Sequence, residues 1–244
     1  MTARTCCPVV ELRQYTLRAG MHDALIELFE REFIETQEAT GMIVLGQFRD
    51  LNNPDRFVWL RGFSDMVTRA TALQEFYGGR VWRTHRDVAN ATMIDSDNVL
   101  LLRPARSESA FSLTNVTRPP RESTETARGV LVATIYHLGG TTGDDFTDFF
   151  ERELRPSLQQ TGTFVLASFV TEHHPNTFPR LPVREDVNVF VWFSLFPNRA
   201  AWDSYAKASA LPMHEWELKT LSKLIKGQPE VLVLAPTMRS LIHG

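Results

Sequence analysis

The chain contains two copies of one sequence unit, and this duplication constrains the fold more than any other feature. Three blocks recur in the same order: FERE at 29–32 and 150–153, FVW at 57–59 and 190–192, and VLLLRPA at 99–105 against VLVLAPT at 231–237. The offset is 121 residues at the first block and 133 at the second, so the second copy holds about 12 extra residues between them. Each copy is therefore expected to fold as one supersecondary unit.

Each copy has the pattern strand, helix, two strands, helical segment and strand. The first copy is predicted to have strands at 9–17 and 97–103, a helix at about 22–40, and further helices at 65–77 and 80–92. NNPD at 52–55 favours a turn between two strands, and Gly41 and Gly162 are suited to ending the long helices. The order β-α-β-β-α-β is the ferredoxin-like plan, so we predict an α+β fold of two tandem ferredoxin-like units.

The predicted units span residues 9–105 and 129–237, and the second is the more diverged. Residues 106–128 between them are rich in Ser, Thr, Pro and Arg, which is typical of a linker with little apolar surface to bury. The extra residues of the second copy fall at 173–186. This stretch is expected to be a mobile flap beside a cavity and to be dispensable for folding.

Charge and composition narrow the class of partner. The 244 residues carry a formal net charge of −3, so nucleic acid is not an expected partner. No run of about 18 apolar residues occurs, so no membrane span is expected. Cys6 and Cys7 are neighbours, and we predict free thiols in a cytoplasmic protein.

Strand alternation separates two faces of the first copy. An aliphatic face, expected to pack against the helices, comprises Val10, Leu12, Val44, Phe48, Val58, Leu60, Leu100 and Leu102. A polar and aromatic face comprises Glu11, Arg13, Tyr15, Gln47, Arg49, Trp59, Arg61 and Arg103. We expect the second copy's sheet to pack face to face against this polar face, because exposed Trp59 and Tyr15 would be unfavourable.

The second copy keeps the aromatic residues and loses the arginines. Its matching face includes Tyr136, Ser168, Trp192 and Ser194, and Arg61 of the first copy corresponds to Ser194. The scaffold is therefore shared, while only the first copy carries the charge.

Two interpretations of the arginines are open. Because a buried guanidinium needs acceptors, Arg13 could pair with Glu11 while Arg49 and Arg103 reach water. Alternatively, Arg13 and Arg61 form a catalytic site for an anion or enolate. In that case Tyr15 and Gln47 orient the ligand, and its further contacts are Trp59, Tyr136, Ser168, Trp192 and Ser194. The simpler alternative for the aromatic residues is packing between the sheets.

Two histidines are candidates for chemistry. On a helix His85 would share a face with Val81, Trp82 and Ala89, as a core histidine, a general base or a haem ligand. His214 is a second candidate for these roles. Glu172, His173 and His174, with nearby Glu185 and Asp186, fit no zinc-ligand spacing, so no metal is expected.

Several segments together resemble the NIPSNAP family: ELRQYTLRAG, FIETQEATGMIVLGQFRD, PDRFVWLRGF and FYGGRVWRTHRDVANATMIDSDNVLLLRP. The resemblance covers residues 9 to about 105, and only weakly the second copy. It implies a dimeric α/β-barrel type of structure, in which two ferredoxin-like units pack sheet to sheet around a central cavity. Proteins of this wider fold include cofactor-independent monooxygenases, lactone isomerases, polyketide cyclases and haem enzymes.

The leading functional hypothesis is a cofactor-independent enzyme with an Arg-lined cavity. It would act on a small anionic carbonyl or aromatic compound by proton transfer, cyclisation, isomerisation or oxygenation. The alternatives are a non-catalytic NIPSNAP-type binding or interaction module and a haem-binding barrel. The arginine asymmetry favours the enzyme, and further self-association is compatible with the sequence.

Overall fold

A computed structural model describes residues 6–123, 127–209 and 215–244. The first half comprises β1 (Val9–Leu17), α1 (His22–Leu28), a π-helical turn (Phe29–Phe33), α2 (Ile34–Glu38), β2 (Ile43–Asp50), β3 (Arg56–Phe63), α3 (Met66–Gly78), α4 (Arg80–Ala91) and β4 (Met93–Pro104). The second half comprises β5 (Val130–His137), α5 (Gly143–Phe149), a π-helical turn (Phe150–Leu154), α6 (Arg155–Gln160), β6 (Val165–Thr171), β7 (Val189–Phe196), α7 (Arg199–Ser209), α8 (Glu215–Leu224) and β8 (Glu230–Pro236). The predicted α+β fold with two ferredoxin-like units is confirmed.

The eight strands form one closed antiparallel barrel in the order β1-β3-β2-β8-β5-β7-β6-β4. Each half contributes four neighbouring strands. The halves join where β2 pairs with β8 at Arg49 and Ala235, and where β4 pairs with β6 at Arg103 and Val170. The two sheets are thus continuous at both edges, which leaves no unpaired edge strand in the barrel.

The barrel interior is a packed aliphatic core, and the predicted assignment of the two faces is wrong. Val10, Leu12 and Leu60 of the first half share one buried cluster with Leu131 and Leu234 of the second. An interior of eight strands has room for little beyond side chains, and branched aliphatic residues fill it. The polar face instead lies beneath the helices.

The two tryptophans illustrate this correction. Trp59 and Trp192 are buried as predicted, at 1% and 5% exposure. Each tryptophan lies between its sheet and the helices of its own half, as its aromatic contacts show. The ring centroids of Phe29 and Trp59 are 4.8 Å apart, and those of Phe150 and Trp192 are 6.0 Å apart.

Val44 is the exception within the aliphatic set, because a bulge in β2 leaves it on the helix side as predicted. The β2–β3 register shifts between Val44 and Gly46, so Val44 packs with the helices while Leu45 enters the barrel interior. An extra residue in one strand reverses the alternation beyond it.

The repeated FERE motif corresponds to a π-helical turn in both halves. Each turn interrupts an otherwise α-helical run at the residue that packs on the tryptophan. Gly41 and Gly162 follow these runs with φ of 93° and 79°, a conformation that glycine adopts without steric cost. The duplication therefore extends to an uncommon local geometry, and π-helical turns often occur near functional sites.

The connection between the halves is anchored to the barrel. Phe111 is buried, with its ring 5.0 Å from Phe193 and 5.3 Å from Phe169. Arg118 donates hydrogen bonds to the Glu38 carboxylate and the Val44 carbonyl. The connection thus contributes to the barrel core, although its composition predicts little buried apolar surface.

The structure pairs Cys6 with Cys7 as a disulfide, whereas the sequence predicted free thiols. Cys7 has a φ of 66°. This departs from the extended backbone in which successive side chains point to opposite sides.

Within the described residues, none of the helices combines the length and the apolarity needed to cross a lipid bilayer.

Residues 173–186 pack over the helix–sheet cleft of the first half, and these contacts argue against the mobile flap expected from the sequence. Phe178 is 6% exposed and stacks on Tyr77 with ring centroids 6.0 Å apart. Asn176 and Thr177 accept hydrogen bonds from Arg69 at 3.0 and 3.1 Å. The apolar residues of the loop explain this packing, since they complete the cluster beneath α3.

Replacing Phe178 with alanine is therefore expected to destabilise the protein. Removing a buried phenyl ring costs about 3 kcal/mol, which for a chain of this size lowers Tm by about 6–12 °C. Phe164→Ala is the matched control, because Phe164 is 77% exposed, and its Tm should stay near wild type. Equal Tm values for the two variants, measured by calorimetry, would contradict the packed loop.

Candidate functional site

Each half contains a cavity between its sheet and its helices, at positions related by the repeat. The first-half cavity has a volume of about 80 Å³, and its walls include Tyr15, Gln37, Trp59 and Tyr77. The second-half cavity is larger, at about 210 Å³. Its walls are Thr134, Tyr136, Leu154, Ser157, Leu158, Thr161, Trp192, Trp202, Tyr205, Pro229 and Val231.

In the first half the polar face forms a buried ion-pair cluster, here called the Glu11 cluster: Glu11, Arg13, Arg61 and Arg69. All four are at most 1% exposed. Glu11 Oε2 accepts from Arg13 Nη1 at 2.6 Å and from Arg61 Nε at 2.8 Å. Glu11 Oε1 accepts from Arg69 Nε at 2.7 Å. Of the two interpretations left open by the sequence, pairing of Arg13 with Glu11 is observed.

The surroundings of the cluster keep Glu11 ionised. Burial by itself would raise the pKa of the Glu11 carboxyl, but the charges of Arg61, Arg13 and Arg69 outweigh burial and hold that pKa well below its usual range. Trp59 lies against the cluster, with its ring centroid 4.9 Å from the Arg61 guanidinium carbon. Such a contact stabilises the cation further.

The second half replaces all four charged residues with uncharged ones. By the offsets of 121 and 133 residues, the counterparts of Glu11, Arg13, Arg61 and Arg69 are Val132, Thr134, Ser194 and Trp202. The strand register supports this equivalence, because Glu11 lies opposite Arg61 in β1–β3 and Val132 lies opposite Ser194 in β5–β7. The space that arginine side chains fill in the first half is thus available to the larger cavity in the second.

Two hydrogen-bonding aromatic residues line the second-half cavity. Burial raises the pKa of Tyr136 to about 12, and the neighbouring Trp192 indole offsets part of that rise. Tyr136 is therefore a neutral hydroxyl at physiological pH and can donate a hydrogen bond. The indole N–H of Trp192 is buried and approaches the Tyr136 hydroxyl, but it makes no hydrogen bond of regular geometry within the described part of the chain. A ligand oxygen would satisfy such a donor.

The other predicted ligand-binding residues lie outside the cavity walls. Ser168 and Ser194 are buried, and their hydroxyl groups have no hydrogen-bond partner among the described residues. Gln47 contacts the C-terminal segment: its backbone N–H donates to Ser240 Oγ at 3.0 Å, and its Oε1 accepts from Thr237 at 3.4 Å. Of the predicted site residues, Tyr15 and Trp59 line the first cavity, and Tyr136 and Trp192 line the second.

The structure does not bring His85 into either cavity. Its Nε2 lies 3.7 Å from the Glu32 carboxylate, and its ring centroid lies 6.4 Å from that of Phe33, so the partly buried imidazole packs between α4 and the π-helical turn. His214 lies outside the described residues. Arg49 and Arg103 are partly exposed and pair with Asp23 and Asp144, in keeping with the expectation that they reach solvent.

Sequence reasoning missed Arg69 and Trp202, although a signal for both was present. Asp65 caps α3 by accepting from the Thr68 N–H at 2.7 Å, and Asn198, 133 residues later, accepts from the Ala201 N–H at 2.9 Å. The same offset places Trp202 at the position of Arg69. Extending the repeat through these helix caps would have identified the pair.

The polar residues in and next to the inserted loop make hydrogen bonds to one another. His174 Nδ1 lies 2.6 Å from Glu172 Oε1, whereas Glu185 accepts from the Asn176 backbone N–H at 2.8 Å. No group of three metal-ligating side chains occurs among residues 6–123, 127–209 and 215–244.

Comparison with known proteins shows similarity at the level of the fold. No protein-family model and no curated protein matches the chain. A provisionally assigned monooxygenase from Lactobacillus acidophilus is 13% identical, with a TM-score of 0.57 covering 99% of each chain. One from Fusobacterium nucleatum is 8% identical, with a TM-score of 0.59 covering 98% of this chain and 96% of its own. An anthrone oxidase-like protein is 11% identical, with a TM-score of 0.60 covering 97% and 94%.

NIPSNAP proteins are also among the solved structures that match, but over less than half of this chain. A NIPSNAP-like domain protein from Burkholderia xenovorans is 24% identical and covers 48% of this chain and 95% of its own, with a TM-score of 0.39. This structural similarity is too low to assign the chain to the NIPSNAP family. Membership of that family therefore stays a prediction.

Proposed function

We propose that the protein is a small-molecule enzyme that needs no bound cofactor and acts in the second-half cavity on a small neutral aromatic ketone. The observation that carries the proposal is the aromatic cavity lined by Tyr136 and Trp192. Its volume, about 210 Å³, is below the 300–1,000 Å³ typical of ligand pockets, which favours a ligand of two or three rings. Resemblance to provisionally assigned monooxygenases and to an anthrone oxidase-like protein supports the same class of chemistry.

The proposed substrate differs from the anionic compound expected from the sequence. Arg13 and Arg61, which would have held an anion, are paired with Glu11 in the other half. The described walls of the second cavity contain no carboxylate, imidazole, amine or guanidinium group. An uncharged ligand enters such a cavity without the cost of burying an unpaired charge.

The proposed chemical step is loss of a proton from the carbon next to the carbonyl. The C–H electron pair moves into the carbonyl to give an enolate, and water takes the proton. Tyr136 and Trp192 donate hydrogen bonds to the oxygen on which negative charge develops. Preorganised donors of this kind stabilise charge strongly in a cavity with mostly apolar walls. Isomerisation, cyclisation and oxygenation all begin from such an enolate.

The test uses 2-tetralone, a bicyclic ketone, and tetralin, which has the same skeleton without the oxygen. Wild-type protein is expected to bind 2-tetralone and to accelerate exchange of its α-protons in D₂O, followed by NMR. Trp192→Phe keeps a six-membered aromatic ring but removes the indole N–H and part of the cavity wall. Affinity for 2-tetralone should therefore fall about 2–12-fold further than affinity for tetralin, the range for one neutral hydrogen bond.

The matched control is Trp59→Phe, the same substitution at the equivalent first-half position. Loss of 2-tetralone binding in Trp59→Phe with none in Trp192→Phe would refute the second-half site. Binding without any acceleration of exchange would favour the binding-module alternative.

The haem-binding alternative is less well supported, because no imidazole lines either cavity in the described part of the chain.

A further inference from the structure

The Glu11 cluster carries more positive than negative charge. Three guanidinium groups face Glu11, and in the described ranges no second carboxylate lies within ion-pair distance of them. Burial raises the pKa of Tyr15, so its hydroxyl supplies no negative charge. Two positive charges are thus buried without a counter-ion, an arrangement that favours binding of an anion.

The first-half cavity adjoins this excess charge. Arg61 Nη1 has two acceptors, Gln37 Oε1 and Tyr77 Oη, and both are neutral and distant at 3.4 Å. Tyr15 Oη accepts from Arg13 Nε at 2.9 Å. Gln37, Tyr77 and Tyr15 all line the cavity, so a molecule there would lie beside the groups that contact Arg13 and Arg61.

We propose that this cavity binds a small oxyanion of the carboxylate class, independently of the ketone site in the second half. Arg13 and Arg61 lie behind Tyr15, Gln37 and Tyr77 in the cavity wall, and their positive charges attract an anion in the cavity. The hydroxyl groups of Tyr15 and Tyr77 keep their own protons available for donation, because each oxygen acts as acceptor towards arginine. Two hydroxyl donors, each in contact with an arginine, therefore converge on one anion.

The cavity volume limits the size of the anion. A water molecule in the liquid occupies about 30 Å³, so about 80 Å³ holds roughly two or three waters or an anion of three to five heavy atoms. Formate, acetate and bicarbonate are of this size. Leu181 of the 173–186 loop forms part of the wall, so the loop from the second half helps to enclose the site.

The competing account is that aromatic faces alone compensate the excess charge. Arg13 lies 5.6 Å and Arg61 4.9 Å from the centroid of the Trp59 ring. On that account no anion is needed, and thermal stability responds to ionic strength without regard to which anion is present.

The experiment measures Tm in sodium acetate and in sodium gluconate at equal sodium concentration and pH. Gluconate has 13 heavy atoms and is too large for the cavity. Once acetate exceeds its Kd, each tenfold rise in its concentration should raise Tm by about 3–5 °C, and gluconate should give no comparable rise. Equal responses to the two salts would overturn the proposal.

Three variants test which residues are needed for the acetate-dependent rise in Tm. Tyr77→Phe removes one proposed donor and should reduce acetate affinity several-fold. Arg61→Ser, which copies Ser194, should abolish the acetate-specific rise. Arg103→Ala, which copies Ala235 and lies outside the cluster, is the matched control and should keep the wild-type response. An unchanged acetate response in Tyr77→Phe, even if Arg61→Ser fails to fold, would contradict the assigned site.

Discussion

Glu11→Gln is expected to lower the free energy of unfolding by about 3–5 kcal/mol, the range for removing one partner of a buried ion pair. The substitution keeps the shape of the side chain and removes the single negative charge that three buried guanidinium groups share. Urea denaturation followed by circular dichroism measures the loss. The matched control is Glu151→Gln, which disrupts the partly exposed pair with Arg155 and should cost no more than about 0.5 kcal/mol.

The effect of Glu11→Gln should also depend on pH in a defined direction. Because the folded protein holds the pKa of Glu11 below its unfolded value, the ionised carboxylate contributes stability above about pH 4 and loses that contribution as the pH falls further. The difference between wild type and Glu11→Gln should therefore shrink below about pH 4. A difference that stays constant from pH 7 to pH 3 would show that the charge of Glu11 is not responsible.

Replacing the whole Glu11 cluster with its second-half counterparts should leave the stability close to that of wild type. The quadruple variant Glu11→Val, Arg13→Thr, Arg61→Ser and Arg69→Trp is expected to match the unfolding free energy of wild type to within about 2 kcal/mol. Removing all four charges together removes their desolvation cost, which offsets the cost of the space left by the smaller Thr and Ser side chains. The second half demonstrates that this scaffold accepts the uncharged set.

The control for the quadruple variant is Glu11→Val alone, which leaves three buried arginines without their partner. It should lose about 3–5 kcal/mol, so the four substitutions are expected to be strongly non-additive. If the quadruple variant were as unstable as Glu11→Val, the charge cluster would be required for folding of the first half. The uncharged residues of the second half would then not be its functional equivalents.

The sequence predicted the architecture well because the repeat constrains it. The matching of Tyr15 with Tyr136 and of Trp59 with Trp192 located equivalent strands, and turn and helix-end residues such as Gly41 located their limits. These signals depend only on nearby residues, so they can be recognised in the sequence without knowledge of the tertiary packing.

The faces of the sheets could not be predicted in the same way. Alternation separates two sets of residues but does not state which set packs against helices, and here both sides of the sheet are buried. The deciding residues lie elsewhere in the chain: Arg69 on α3 completes the Glu11 cluster, and Asn176 and Thr177 of the other half accept hydrogen bonds from Arg69. Long-range contacts of this kind leave no periodic pattern in the sequence.

The candidate site was predicted in part for the same reason. Tyr136 and Trp192 were identified because they repeat Tyr15 and Trp59. The open cavity was missed because it arises from side chains that are absent, namely the arginines replaced by Thr134 and Ser194.

A crystal structure with 6-bromo-2-tetralone, whose bromine is located by anomalous scattering, would show directly where a ketone binds. We expect one bromine site per chain, in the second-half cavity between Trp192 and Trp202, with the ketone oxygen directed towards Tyr136 or the Trp192 indole. A bromine site inside the aliphatic barrel, or beside the Glu11 cluster of the first half, would contradict it.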